Sequence, residues 1–294
     1  MQKTPMAGPI ATRLVRAIQR IKSARVVDLR AFREGMARAT DMQKTVATRE
    51  TLADFHPVHA VYVAVQNQVS VLAEQLTALP ETAKLADLIE AAQDEYMPGG
   101  PPMSPLTTSY FTCWAFFDAA VGPRRETLGT CVVAVGKLLG MDPGFLALVQ
   151  VMQDSCMRVY VHEGFHADGT ILLRDLASGA SVPCIVPSGW RGARGELWLA
   201  RVLPPPIGAA EVSLVFTTPY VLQGASEPDW IAYLERALGA AKGDANKTVA
   251  VLKYGIDWSE YIFAGYAGHV TEAIFLEGLP DVPASLPHYS PRTR

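Results

Sequence analysis

The chain has 294 residues, 49% hydrophobic and 19% charged, so it can bury one large core or two ordinary ones and is not disordered as a whole. A net charge of −3 and a pI near 6.1 exclude a generally basic nucleic-acid coat. Cys113, Cys131, Cys156 and Cys184 stand in apolar surroundings with no C-x-x-C pair, which reads as buried thiols in a reducing compartment. The apolar runs around Tyr110–Gly122 and Cys131–Met141 carry Asp118 and Lys137 and fall short of the about 20 residues a spanning helix needs. The first residues lack a continuous apolar stretch, so the expected location is the cytoplasm, with no transmembrane segment.

Residues 1–27 hold six basic residues and no acid, +6 against −9 for the remainder. Within them Thr12–Arg25 reads as an amphipathic helix, with Leu14, Ile18 and Ile21 on one side and Arg13, Arg16 and Arg20 on another. Three readings stand. The helix docks on the acidic remainder, or it contacts an anionic partner such as nucleic acid or a membrane surface, or it is an organelle-targeting segment.

The rest of 1–97 also reads as helical. Asp28 is a candidate cap for a helix carrying Leu29, Phe32 and Met36, Pro57 opens a segment Val58–Leu79, and Pro80-Glu81-Thr82 begins another through Asp94. Met97–Pro105, dense in proline and glycine, is a linker. Residues 106–156 form an apolar core segment, with Ser109–Phe117 too aromatic to be exposed and helices over Arg125–Gly140 and Gly144–Cys156.

Near Met157 the pattern changes. RVYVHEGF, TILLRDL, SVPCIVP, GELWLARVLPPP and EVSLVFTTPYVL are five short segments rich in aliphatic and aromatic residues, broken by turn signals every ten or so residues. They predict a small antiparallel β-barrel or half-barrel over 157–222. Helices return over 223–280: Ser226 caps one with Pro228 just inside, and others cover Asn246–Lys253 and Trp258–Tyr266. The small residues of Gly265–Gly268 suggest helix packing, Ala273–Leu279 a last strand, and 281–294 a loose tail. The expected fold class is α+β: a helical N-terminal half, a small barrel-like module in the middle, and C-terminal helices.

His162-Glu163-Gly164-Phe165-His166 matches H-E-x-x-H. On a helix that spacing puts two imidazoles on one face, where they share a zinc ion while the glutamate polarises the attacking water. Gly169 extends the match toward a metzincin pattern, but the next ligand position holds Leu172, and the nearest downstream glutamate, Glu196, lies 30 residues past His166. The flanking Arg158–Val161 is β-branched and aromatic, and Asp168-Gly169 is a hairpin turn signal. The simpler reading is a strand through His162, a bulge at Gly164 and a return strand Thr170–Asp175, which sets the two histidines about 13 Å apart.

G-x-S-x-G and a P-loop are absent. Tyr254, Trp258, Tyr261, Phe263 and Tyr266 read as a core face. The loop Gly189-Trp190-Arg191-Gly192-Ala193-Arg194-Gly195 has two readings: a binding surface in which Trp190 stacks on a partner while Arg191 and Arg194 pair with its anions, or a lid in which Trp190 folds back over the barrel.

MSPLTTSYFTCWAFFD, RETLGTC, GELWLARVLPP, FTTPYVL, AIFLEGLPDV and SLPH resemble stretches of a family of hypothetical bacterial proteins with no assigned function. The likeness spans about residues 95–288. It implies that the helical and β parts form one unit and supplies no catalytic residues. In that family a tyrosine-x-histidine element stands near Tyr160-Val161-His162, without the full H-E-x-x-H.

The leading functional expectation is a non-catalytic interaction or regulatory protein with a protein partner. The alternatives are a zinc hydrolase with His162 and His166 as ligands and Glu163 as base, and a protein that contacts nucleic acid through its basic N-terminal helix.

Overall fold

The computed structural model describes residues 8–23, 29–97, 105–206 and 211–281. Asp28, the linker residues 98–104 and the tail from 282 onward lie outside them. The chain divides into two compact units: residues 1–98 with 112–154, and residues 99–111 with 155–294.

The first unit is helical. Its described elements are α1 (Pro9–Ser23), α2 (Leu29–Thr45), α3 (Arg49–Ala53), α4 (Pro57–Thr77) and α5 (Ala83–Tyr96), the last entered through a 3-10 turn at Pro80–Thr82. α6 (Thr108–Cys113) crosses the boundary between the units and runs into a π-helical turn, Trp114–Asp118. α7 (Leu128–Leu139) and α8 (Pro143–Asp154) complete the unit. Pro57 sits in the first turn of α4, where its missing N–H costs nothing, and the helix buries Val58, Tyr62, Val65, Val69 and Leu76. α7 starts at Thr127, whose hydroxyl accepts from Thr130 N–H, and ends at Gly140 in the left-handed region. Thr127 also donates to Gln153, which in turn donates to the Phe117 carbonyl, so buried polar groups tie α7, α8 and the π turn together.

The second unit is built on a sheet. Its strands are β1 (Met157–Phe165), β2 (Ile171–Asp175), β3 (Ser181–Ile185), β4 (Leu197–Leu203), β5 (Ser213–Val215), β6 (Tyr220–Gln223), β7 (Tyr266–His269) and β8 (Ile274–Glu277). The order β1-β2-β3-β5-β4 closes through β4 back onto β1, giving a five-stranded barrel, and β6, β8 and β7 extend the sheet beyond β4. β3–β5 and β6–β8 are parallel, which the expectation of an antiparallel barrel did not include. Alternate residues point inward to a core of Tyr160, Ile171, Leu173, Cys184, Trp198, Ala200 and Val215.

Two local readings are corrected. The single strand expected over 211–222 breaks into β5 and β6. Pro219 has no N–H to donate, and the Thr217 hydroxyl accepts the Arg201 N–H that an unbroken ladder would satisfy. Gly265–Gly268 is not a helix-packing stripe: α11 (Trp258–Gly265) stops there and β7 pairs with β8. A side chain on Gly265 would meet the Glu277 carbonyl oxygen at 3.0 Å, so glycine permits that close backbone approach. Helices α9 (Glu227–Leu238) and α10 (Ala245–Tyr254) precede α11. At the start of α9 the Asp229 carboxylate accepts from Ser226 N–H and hydroxyl, completing the expected cap.

Candidate functional sites

The H-E-x-x-H residues lie on a strand and its turn, not on a helix. β1 pairs with β2, and the register shifts between His162 and Gly164. Gly164, at a φ of 121°, lets the chain make that bulge. His162 is fully buried. Its Nδ1 accepts from Gly164 N–H at 3.1 Å, so Nε2 carries the proton and donates to the Arg191 carbonyl at 3.0 Å. The ring packs edge-on against Phe165 and Trp198. Both nitrogens are thereby committed to backbone groups.

Glu163 and His166 are held elsewhere. The Glu163 carboxylate accepts from the Ser181 hydroxyl and the Arg174 guanidinium, in that order of influence, which hold it below the usual carboxylate range. Arg174 also pairs with Glu227 at 2.9 Å. His166 is exposed, and its backbone N–H and carbonyl bond Thr170 and Gly169 across the Asp168-Gly169 turn. The bulged strand sends the three side chains of the zinc alternative apart, to a core, an ion pair and solvent. Among the described residues no three His, Cys, Asp or Glu side chains are grouped as metal donors.

The 189–195 loop wraps the same end of the barrel. Trp190 is half-buried, edge-on to Phe275 at 5.8 Å, and its Nε1–H donates to Glu196. Trp198 donates to that same carboxylate oxygen at 2.9 Å. Of the two readings, Trp190 therefore takes the lid position. The His162 N–H donates to the Glu196 carbonyl, and the Gly195 N–H to the His162 carbonyl, both at 2.8 Å. Gly192, at a φ of 61°, has no room for a side chain: a Cβ there would lie 2.6 Å from both Glu196 and Trp198. Arg191 and Arg194 are exposed, and the Arg191 guanidinium stacks 4.7 Å from the Phe165 ring centre.

α1 presents the opposite situation. Of the expected apolar stripe Leu14 is buried, Ile18 is half-buried and Ile21 is exposed; Ile10, Ala11 and Ala17 are buried beside Leu14, and the helix packs along α7. The buried Glu126 carboxylate accepts from Ile10 and Ala11 N–H at 2.9 and 2.8 Å, capping the helix where its dipole favours a negative charge. On the other side Arg13, Arg16 and Arg20 are exposed and line an open groove of about 510 Å³ with Gln19, Ser23 and Glu81. Arg20 approaches Glu81 at 3.9 Å, a loose contact at the surface. No ion pair or side-chain hydrogen bond within the described residues engages Arg13 or Arg16.

Sequence reasoning found the three arginines and missed the rest of the groove. Gln19 and Ser23 were readable, since they follow Arg16 at helical spacing. Glu81 and the capping Glu126 were not, because their partners lie tens of residues away in sequence. Among the described residues no helix is long and apolar enough to cross a membrane. No family model matches the chain, and no curated protein or solved structure matches it.

Proposed function

We propose that the protein is a non-catalytic interaction protein that holds an anionic partner on the arginine face of α1. The observation that carries this reading is the groove itself: Arg13, Arg16 and Arg20 project from a helix whose other side is already buried and whose N-terminus is already capped. Arg13 and Arg16 meet no ion-pair partner among the described residues, and their clustering with Arg20 supports an anionic partner. The barrel order adds only an analogy, since such barrels commonly bind oligomers. Its β2–β3 face carries Arg174 already paired with Glu163 and Glu227, which argues against use of that face for anions. The committed nitrogens of His162 argue against the hydrolase alternative. Four buried free cysteines favour a reducing, cytoplasmic location.

Retention on immobilised heparin, a generic polyanion, tests the reading. Wild-type protein is expected to bind at low salt and to elute earlier when Arg13, Arg16 and Arg20 are all changed to glutamine. Equal elution of the two proteins would remove α1 from consideration.

A further inference from the structure

We infer that the arginine face of α1 takes the phosphodiester backbone of a nucleic acid without reading its sequence, a reading that rests on the anion-binding role proposed above. Positions 13, 16 and 20 follow the i, i+3, i+7 pattern that keeps side chains on one stripe. At 1.5 Å per residue they stand about 4.5 and 6 Å apart along the axis, a row of about 10 Å. A row of cations suits a polymer of regularly spaced single charges. A lone phosphate is better held by donors converging from several elements, and here the arginines all come from one helix.

The other lining residues refine the ligand. Gln19 adds a neutral hydrogen-bonding group, the kind that accompanies arginine on phosphate and sugar oxygens, whereas the Ser23 hydroxyl already donates to the Arg20 carbonyl. Among the described residues no aromatic side chain lines the groove, which gives unpaired bases no stacking partner there. The contact is therefore to backbone, and sequence information is absent from it. Glu81, beside Arg20, weakens that end of the row and leaves Arg13 and Arg16 as the dominant contacts. An anionic membrane surface is less well served. A helix lying in that interface inserts its apolar side, and Ile10, Leu14 and Ala17 are buried within the protein.

The test is fluorescence anisotropy of the full chain with a labelled single-stranded oligonucleotide and with a duplex of the same length, in two unrelated sequences each, across about 50–200 mM salt. Log affinity is expected to fall linearly with log salt and to be the same for both sequences. Changing Arg13, Arg16 and Arg20 to glutamine is expected to flatten the slope by about 1.8 on duplex or about 1.4 on single strand, the sum for the two dominant contacts at about 0.9 and 0.7 per phosphate. The oligonucleotide bound more tightly at equal salt identifies the preferred form. Circular dichroism and the urea midpoint of the variant are expected to match wild type, which separates lost contacts from lost folding. An unchanged slope would overturn the inference, as would a clear sequence preference that depends on the three arginines. If heparin retention depends on them while neither oligonucleotide binds, the nucleic-acid inference fails and the anion-binding reading stands. Arginine-dependent binding to phosphatidylserine vesicles with no oligonucleotide binding would have the same meaning. If heparin retention is also indifferent to the three substitutions, both readings fail.

Discussion

The barrel end around His162 and the outer face of α1 both concentrate basic side chains in a pattern that suggests a site. They differ in what folding leaves over. At His162, each ring nitrogen, the Glu196 carboxylate and both indole N–H groups meet partners inside the protein. On α1, Glu126 satisfies the helix start and Ile10, Leu14 and Ala17 are buried, yet Arg13 and Arg16 are exposed with no ion-pair partner among the described residues. A polar cluster whose bonds close on themselves is architecture. One that stays open after the fold is complete is a candidate for binding.

The comparison is sharpest at the two histidines. His162→Ala removes a packed ring and strands the Arg191 carbonyl and the Gly164 N–H, and is expected to cost about 3 kcal/mol in urea unfolding. His166→Ala is expected to stay within about 0.5 kcal/mol. Added zinc is expected to leave Tm unchanged, since only a ligand that binds the native state raises it. Similar losses for both variants with a zinc-dependent Tm would restore the metal reading. Next in size is Gly192→Ala, expected to cost about 2 kcal/mol through its left-handed backbone and the Glu196 and Trp198 contacts. Gly195→Ala, at a φ of 91° with open space around it, is expected to cost about half as much.

Glu126→Ala uncaps α1 and is expected to cost about 1–2 kcal/mol, with faster hydrogen exchange at Ile10 and Ala11 than at the core of α7. The smallest effect belongs to the arginines themselves. Replacing any one of Arg13, Arg16 or Arg20 with glutamine is expected to shift stability by under about 0.5 kcal/mol. A larger loss would mean that the groove is structural after all. A separate check concerns the cysteines: burial pushes the Cys131 and Cys184 thiols up to about 12. A raised pKa means less thiolate at neutral pH, so a thiol reagent is expected to find all four cysteines unreactive until the chain is unfolded.

Local chemistry was the legible part of the fold. Pro57, Ser226, the Asp168-Gly169 turn and the Gly164 bulge each act on their immediate neighbours, and the elements they mark appear where expected. What escaped depends on distant strands. β8 joins the sheet by pairing in parallel with β6, more than fifty positions earlier, and the parallel β3–β5 pair joins residues about thirty positions apart. The same division holds for the sites. The arginine stripe of α1 is a property of one helix and shows in its spacing. H-E-x-x-H gains its meaning only from the backbone beneath it, and a β-branched run with a hairpin turn makes that backbone a strand.

The 189–195 loop also sets a ruler. The Arg191 carbonyl must reach His162, the Gly195 N–H must reach the same residue's carbonyl, and Trp190 must arrive at the oxygen that Trp198 already holds. These fixed points leave no slack between Gly189 and Glu196. An inserted or deleted residue there would detach at least one of them, so this segment is closed to changes in length, whereas the Asp168-Gly169 turn, with both residues exposed, can be lengthened.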